Sequence, residues 1–160
     1  MLARAATSDD AAAIAAIYNQ AIEERNSTFE TRPRTAEDIR AWFDGAHPLI
    51  VIEQDGRVIG YGATFDYRPR ECYRGVAEFA VYVDRAARAH GAGKLALESL
   101  FAAARRAGFW KLVSRIFPEN QAVRKLNAAV GVREVGVYHK HGQVAGVWRD
   151  VIIVERMLID

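Results

Sequence analysis

Apolar residues recur along the chain with two different periods, and each period predicts one kind of element. Recurrence every three to four residues predicts four helices. The first follows an N-cap at Ser8 and the second follows an N-cap at Thr35. The third and fourth are predicted over Lys94–Ala107 and Glu119–Val130, because a glycine follows the end of each.

Shorter apolar runs, some alternating and some continuous, predict the strands. The segment "PLIVIEQDGRVIGYGATF" predicts two strands joined by an Asp-Gly turn. Further strands are predicted for "VAEFAVYV", "WKLVSRIF", "VREVGVYH" and "WRDVIIVERML". The order of these elements does not alternate strictly. It therefore predicts an α/β (α+β) protein with a mixed sheet and helices packed on it.

Composition narrows the classes of protein and partner. A chain of 160 residues with 51% hydrophobic and 26% charged residues predicts a single globular domain over residues 1–160. The net charge of +2 argues against a nucleic-acid or anionic-membrane partner. We expect the three tryptophans, Trp42, Trp110 and Trp148, in the core rather than on a base-stacking surface.

Cysteine, histidine and the chain start add further expectations. Cys72 is the single cysteine, so an intrachain disulfide is excluded. No metal is expected, since only the weak pair His139 and His141 has ligand-like spacing. The start resembles no signal peptide and no apolar run could span a bilayer, so a cytoplasmic location is the expectation.

The segment "RAHGAGKLAL" places glycines and basic residues where a helix begins. Free N–H groups at a helix start bind anions, and glycine lets the backbone approach a ligand. A plain surface turn is the alternative. A Walker loop is excluded because Leu95 follows Lys94. The fragment "GAGKLA", with Glu119 downstream, also fits a dinucleotide fingerprint, but the residues Asp84–His90 separate it from the preceding strand.

Longer segments carry a resemblance over nearly the whole chain. They are "IYNQAIEERNSTFETRPRT", "DGRVIGYG", "YRPRECY", "AEFAVYVD", "GFWKLVSRIFPEN" and "GVWRDV". Together they resemble the GNAT N-acetyltransferases of the phosphinothricin acetyltransferase branch, whose members acetylate phosphinothricin, methionine sulfoximine or, most similar in pattern, arsinothricin. The resemblance implies a GNAT fold, a central mixed sheet splayed between its fourth and fifth strands. It also implies a homodimer with the active site near its interface.

The resemblance implies that acetyl-CoA is the co-substrate and that it lies in the gap of the splayed sheet. The backbone of Val81, Tyr82 and Val83 would pair with its pantetheine arm. Asn120 would bond that arm from the other side. The pyrophosphate would be held by Arg88, Ala89, His90, Gly91, Ala92, Gly93 and Lys94.

Glu78 is the candidate general base, acting through a water molecule. A carboxylate in an apolar strand is costly unless it is paired or useful. The alternative is therefore a structural ion pair with an arginine, for which Arg70 is the candidate. A backbone N–H near Val81 or Tyr82 would stabilise the oxyanion.

The acceptor is expected to be a small amino acid related in shape to glutamate. Arg68, Arg70 and Tyr73 could grip its anionic groups, unless they form only a solvated turn. By resemblance, Phe29 would wall the pocket and Glu30 would meet the amine. Alternatively, Phe29 is a core residue and Glu30 pairs with one of the two arginines that follow it, Arg32 or Arg34.

The chain departs from the family pattern at several positions. Val123 replaces a serine, Asn127 replaces a histidine or tyrosine, and Val144 with Ala145 replaces a basic or aromatic pair. Since an amide cannot act as an acid, water or the substrate amine would protonate the thiolate. The sequence thus predicts N-acetylation of a phosphinothricin-type amino acid, with detoxification as the outcome. The alternatives are another amine (a polyamine or a protein N-terminus) and a non-catalytic acyl-CoA-binding module.

Overall fold

A computed structural model describes all residues, 1–160, and contains seven strands and four α-helices. Three short 3-10 turns lie at Ser8–Asp10, Glu71–Tyr73 and Arg85–Ala87. The helices are α1 (Ala11–Glu24), α2 (Ala36–Arg40), α3 (Ala92–Arg106) and α4 (Gln121–Ala129). The strands are β1 (Leu2–Ala5), β2 (Leu49–Gln54), β3 (Arg57–Asp66), β4 (Val76–Val83), β5 (Lys111–Ile116), β6 (Arg133–Val144) and β7 (Val147–Met157).

All seven strands form one mixed sheet in the order β1-β2-β3-β4-β5-β7-β6. Every neighbouring pair is antiparallel except β4 and β5, which run parallel. This confirms the predicted mixed sheet with helices packed on it. Strand β1 was not predicted, because its sequence "LARA" has no β-branched residue and it is fixed by pairing with β2.

Strands β4 and β5 separate soon after they meet. Their registered pairs are Val76↔Lys111, Ala77↔Leu112 and Glu78↔Val113, and pairing stops there. The remaining halves of both strands diverge, which opens a gap at their carboxyl ends. The splay expected between the fourth and fifth strands is therefore present.

The two faces of the sheet bury separate cores. On one face, α3 packs Leu97, Leu100 and Phe101 against residues such as Phe79, and α4 packs at the margin of this core. On the other face, α1 and α2 cover a second core that includes Tyr61. The gap between β4 and β5 thus lies between two packed layers, each with its own buried core.

Local signals predicted most helix ends correctly. Thr35 caps α2, since the Asp38 N–H donates to Thr35 Oγ1 at 3.2 Å. Gly108 and Gly131 follow α3 and α4 with φ of +98° and +80°. The predicted cap at Ser8 was wrong. Ser8 lies inside a 3-10 turn, and the cap position is held by Thr7, whose N–H donates to Asp10 Oδ2 at 2.8 Å.

One tryptophan contradicts the expectation that all three are core residues. Trp42 packs against the core of α1 and α2, and the ring of Trp110 lies directly over Gly75. Trp148, however, is 57% exposed, because it lies on the β6–β7 hairpin at the edge of the sheet. None of the helices is both long enough and apolar enough to cross a membrane.

Candidate active site

A cavity of about 500 Å³ occupies the gap between β4 and β5. Its walls come from the separated halves of both strands, the start of α3, the inner side of α4 and the segment after α1. Of the predicted co-substrate residues, nine line it: Val81, Tyr82, Val83, Arg88, Ala89, Gly91, Gly93, Lys94 and Asn120. The predicted residues His90 and Ala92 do not, because His90 lines a second, smaller pocket and Ala92 is buried in the core.

The backbone N–H and C=O groups of Val81 point toward the gap. The Asp84 N–H donates to Ile59 O of β3 at 2.8 Å. Backbone groups alternate in direction along a strand, so Tyr82 also directs its N–H and C=O to β3, opposite Tyr61. Val81 then directs its own groups to the β5 side, beyond the last β4–β5 pair. Of the two residues predicted to offer an oxyanion donor, Val81 has the required direction and Tyr82 does not.

The start of α3 presents unpaired N–H groups to the same cavity. Gly91 caps the helix with φ +93°, a conformation that favours glycine. The N–H groups of Ala92, Gly93 and Lys94 have no partner within the protein, whereas Leu95 N–H bonds Gly91 O at 3.1 Å. These donors and the positive end of the helix dipole make the segment suited to an anion.

Gly93 has a packing reason as well. A Cβ placed on Gly93 would lie 2.9 Å from Cδ2 of Leu126 on α4. The glycine therefore allows α3 and α4 to approach each other beside the gap, in addition to any contact with a ligand.

Arg88 is engaged by the protein itself. Its guanidinium forms two hydrogen bonds with the Glu24 carboxylate, at 2.7 and 2.6 Å, and its Nε donates to Val83 O at 3.2 Å. The hydrogen bond from Arg88 lowers the pKa of Glu24. Arg88 thus ties the end of α1 to the end of β4 beside the gap.

Two asparagines line the opposite wall. Asn120 caps α4, because its Oδ1 accepts from the Val123 N–H at 3.3 Å, and its Nδ2 donates to Asn26 O at 3.4 Å. Asn127 is 5% exposed, and its side chain has no hydrogen bond to the protein. Its amide faces the cavity, where it can donate or accept a hydrogen bond but cannot supply a proton as an acid.

Glu78 lies where β4 and β5 part, and its partner is an arginine of the opposite strand. Arg115 Nη2 donates to Glu78 Oε1 at 3.2 Å. The expectation that Arg70 would be the partner was wrong: strand alternation puts Arg115 on the same face of the sheet as Glu78, and Arg70 lies outside β4. Glu78 is not among the residues that line the gap cavity, whereas Arg115 is.

The predicted acceptor residues Arg68, Arg70 and Tyr73 lie together before β4 and outside the cavity. Both arginines are exposed, and Arg68 stacks over the Tyr67 ring at 5.1 Å. Tyr73 is half-buried in an edge-to-face contact with Tyr67. The two arginines form no ion pair with the protein, so their charges face solvent.

Phe29 and Glu30 lie in the segment that follows α1. Phe29 meets Phe117 edge to face at 5.0 Å and packs against the β6–β7 hairpin at Gly142. Glu30 pairs with Arg34 at 2.8 Å, one of the two partners considered for it. Both side chains are thus used in fixing this segment beside the gap.

Tyr82 anchors the same segment from the strand. Its ring packs against Tyr18 of α1, and its hydroxyl donates to Ser27 O at 3.4 Å. Burial raises the pKa of Tyr82, so the hydroxyl stays protonated and neutral. Tyr82 therefore positions the segment 25–30, which lies over the gap.

The amino-acid sequence of the chain matches one protein family. The model of the acetyltransferase (GNAT) family matches residues 14–131. The chain belongs to this GNAT acetyltransferase family.

Named relatives cover nearly all of this GNAT chain. A phosphinothricin N-acetyltransferase from Alcaligenes faecalis is 32% identical, over 97% of this chain and 81% of its own length. A methionine sulfoximine/methionine sulfone acetyltransferase from Pseudomonas aeruginosa is 32% identical, over 91% and 88%. A protein from Salmonella typhimurium, solved with acetyl-CoA as its cofactor, superposes with a TM-score of 0.95 at 29% identity, over 100% of this chain and 95% of its own.

The family match argues against the dinucleotide alternative for "GAGKLA". Strand β4, helix α3 and strand β5 do form a parallel βαβ unit, but the residues Asp84–His90 separate the strand from the glycines. Every other neighbouring strand pair is antiparallel, unlike the parallel sheet of a dinucleotide-binding fold. In this GNAT protein, no group of three or more His, Cys, Asp or Glu side chains is arranged to hold a metal ion.

Sequence reasoning missed two side chains beside the gap of this GNAT protein. Arg115 could have been found, since alternation in "KLVSRI" from the buried Leu112 puts Arg115 on the face of Glu78. Glu24 had no such signal. Its contact with Arg88 joins residues 64 positions apart and depends on how α1 packs against the sheet.

Proposed function

We propose that this protein transfers an acetyl group from acetyl-CoA to the α-amino group of a small glutamate-like amino acid. The acceptor is of the phosphinothricin, methionine sulfoximine or arsinothricin type. The relatives with known names, which act on phosphinothricin and methionine sulfoximine, support this class. One observation carries the proposal most strongly. A gap in the sheet has free helix N–H groups at one end, and the Glu78 carboxylate lies just beyond its other end, where β4 and β5 part.

The gap fits an elongated co-substrate with a phosphate at one end. Its length is lined by apolar side chains such as Leu97, Val123 and Leu126, which suit an uncharged arm. Val81, Tyr82 and Val83 form the β4 wall and Asn120 the α4 wall of the proposed pantetheine site. Bound there, acetyl-CoA supplies the activated acetyl group.

The proposed pyrophosphate site is the segment from Arg88 to Lys94. The unpaired N–H groups of Ala92, Gly93 and Lys94 can donate to phosphate oxygens, and the exposed Lys94 side chain adds charge. Ala89 and Gly91 supply the turn, with φ of +66° and +93°. Arg88 contributes by bracing the segment through Glu24. His90 belongs to this segment only by its position in the chain, since it lines the second pocket.

Acetyl transfer to an amine requires removal of a proton and stabilisation of an oxyanion. Glu78 is the proposed base and takes the amine proton through a water molecule. The Val81 N–H is the proposed oxyanion donor, because it points to the gap. Asn127 can bond the leaving sulfur but not protonate it, so the proton of the thiol comes from water or from the amine.

The acceptor is proposed to lie on the face of the sheet that carries Glu78. Arg68, Arg70 and Tyr73 would grip its distal anionic group, and the free charges of the two arginines support this role. Phe29 would wall the pocket next to Phe117, while Glu30, held by Arg34, would meet the acceptor amine or position the segment.

Release of thiol from acetyl-CoA, measured over a panel of amines, tests the proposal. The panel contains phosphinothricin, methionine sulfoximine, arsinothricin, a polyamine and a peptide with a free N-terminus. Rapid release with one of the three amino acids is expected. Thiol release only with the polyamine or the peptide would contradict the proposed amino-acid acceptor and assign that amine instead. Binding of CoA without thiol release from acetyl-CoA would indicate an acyl-CoA-binding module.

A homodimer is part of the proposal. Strand β6 is one of the two edge strands of the sheet. The β6–β7 hairpin exposes five large apolar side chains: Val135, Val137, Tyr138, Val147 and Trp148. An exposed apolar edge strand favours pairing with a second copy. Light scattering tests this: a mass of two chains is expected, and a single-chain mass at high concentration contradicts it.

The biological outcome would be detoxification of the acceptor in the cytoplasm. A strain that expresses the protein should then grow at inhibitor concentrations that stop the same strain expressing Glu78→Gln.

A further inference from the structure

Glu78 and Arg115 form an ion pair across the point where β4 and β5 part. Nη2 of Arg115 and Oε1 of Glu78 are 3.2 Å apart, with side chains 48% and 32% exposed. Their backbones belong to the two strands that separate directly after Glu78↔Val113. A negative and a positive group therefore lie side by side where the strands part, and of the two, Arg115 lines the cavity.

The pair is open to a third molecule. The contact with Glu78 is the single hydrogen bond and ion pair of Arg115 with the protein, which leaves most of its five N–H donors free. Arg115 lines the cavity beside Ser114 and Phe117. An exposed pair joined by one contact contributes little to stability, so a ligand can exchange partners with it at small cost.

An α-amino acid carries the complementary arrangement. Its ammonium and carboxylate groups are attached to one carbon, so they present a positive and a negative group side by side. With the carboxylate on Arg115 and the ammonium at Glu78, the amine lies next to the proposed base and at the opening of the gap. A bidentate Arg–carboxylate contact would also fix the orientation of the acceptor.

We propose that the Glu78–Arg115 pair recognises the α-amino-acid zwitterion of the acceptor, with Arg115 binding the α-carboxylate. This inference rests on the proposed function and adds how the acceptor is recognised. Arg115 selects an α-carboxylate next to the reacting amine, whereas Arg68 and Arg70 are left for the distal group.

The test compares two ligands that differ only in the α-carboxylate: phosphinothricin and the amine obtained from it by decarboxylation. Dissociation constants are measured by calorimetry with CoA present, so that no acetyl transfer occurs. The unmodified protein should prefer phosphinothricin. Arg115→Gln should weaken phosphinothricin binding roughly 10- to 100-fold, the range for loss of a charged hydrogen bond, and leave binding of the amine unchanged.

Two further variants make the result specific. Arg115→Lys keeps the charge without the planar fork, and is expected to restore part of the preference. Arg133→Gln removes an exposed arginine that pairs with Glu155 away from the cavity, and should change neither constant. Thermal unfolding of each variant verifies that it is folded.

Three outcomes overturn the inference. They are an equal loss for both ligands, no loss for either, and an unmodified protein that does not prefer the carboxylate. Thiol release by the same protein distinguishes a failure of this inference from a failure of the proposed function. If the unmodified protein acetylates an amine while Arg115→Gln shows no loss of preference, the enzyme assignment stands and the role of Arg115 does not.

Discussion

Replacing Glu24 with glutamine reveals how Arg88 acts, because two roles for Arg88 predict opposite signs. In the structure, the Arg88 guanidinium is held by the Glu24 carboxylate through two short hydrogen bonds and also bonds Val83 O. If Arg88 serves as a brace, loss of the Glu24 charge weakens acetyl-CoA binding. If its charge binds phosphate directly, Glu24→Gln releases that charge and strengthens binding.

The size of the effect follows from the geometry. Charge-assisted hydrogen bonds contribute about 1.5–3 kcal/mol when they are shielded from water. The side chains of Arg88 and Glu24 are 43% and 28% exposed. Solvent screening reduces the contribution to about 1 kcal/mol. We therefore expect Glu24→Gln to raise the Kd for acetyl-CoA about fivefold, which is the equivalent of that energy.

Calorimetric titration with acetyl-CoA measures the change. Arg88→Gln should give a similar loss, and the double variant should lose no more than either single variant, because the two residues act as one unit. Glu23→Gln is the matched control: Glu23 pairs with Arg85 at 3.1 Å one position earlier on α1 and does not line the cavity. Tighter binding by Glu24→Gln, or additive losses, would refute the brace.

Three other changes have defined outcomes. Glu78→Gln should lower kcat far more than it changes KM in steady-state assays, since a general base acts in the transition state. Gly75→Ala should lower stability by about 1–3 kcal/mol in urea unfolding, because a Cβ would lie 2.0 Å from Cε3 of Trp110. Asp10→Asn should flatten the loss of stability in acid. Hydrogen bonds from Arg4 lower the pKa of Asp10, so its contribution is present above the unfolded-state value and is lost as pH falls below it.

Each of these has an outcome that counts against it. An unchanged kcat for Glu78→Gln removes that residue from the mechanism. Gly136→Ala, where nothing lies within 4 Å of the new Cβ, should leave stability nearly unchanged, and a loss equal to that of Gly75→Ala would point to a general cost of alanine. Equal acid sensitivity of Asp10→Asn and the unmodified protein would show that Asp10 has the same pKa in both states.

Periodicity and turn residues predicted the parts of the fold that depend on neighbours in the chain. The Asp55–Gly56 turn has positive φ at both residues, as its sequence requires, and Thr35 caps its helix. Strand β1 and the full length of β6 depend instead on pairing with distant strands. The residues of β1, and those by which β6 extends beyond His139, carry only weak β propensity.

In the candidate site, too, features that depend on chain neighbours were predictable and contacts between distant residues were not. Strand alternation puts Glu78 and Arg115 on one face, but only the register Glu78↔Val113 brings their side chains into contact. The glycines of the segment from Arg88 to Lys94 marked it as a candidate anion site, and the structure shows unpaired N–H groups there. The use of the Arg88 side chain could not be predicted, because its partner Glu24 comes from a helix whose packing the local sequence does not encode.

The proposed activity of this protein is acetylation of an α-amino nitrogen. The most direct measurement is mass spectrometry of the product formed from acetyl-CoA and phosphinothricin, with fragmentation to locate the new group. We expect one acetyl group on the α-nitrogen, formed by the unmodified protein and nearly abolished in Glu78→Gln. Unchanged phosphinothricin and methionine sulfoximine after prolonged incubation, while a polyamine gains acetyl groups, would contradict it.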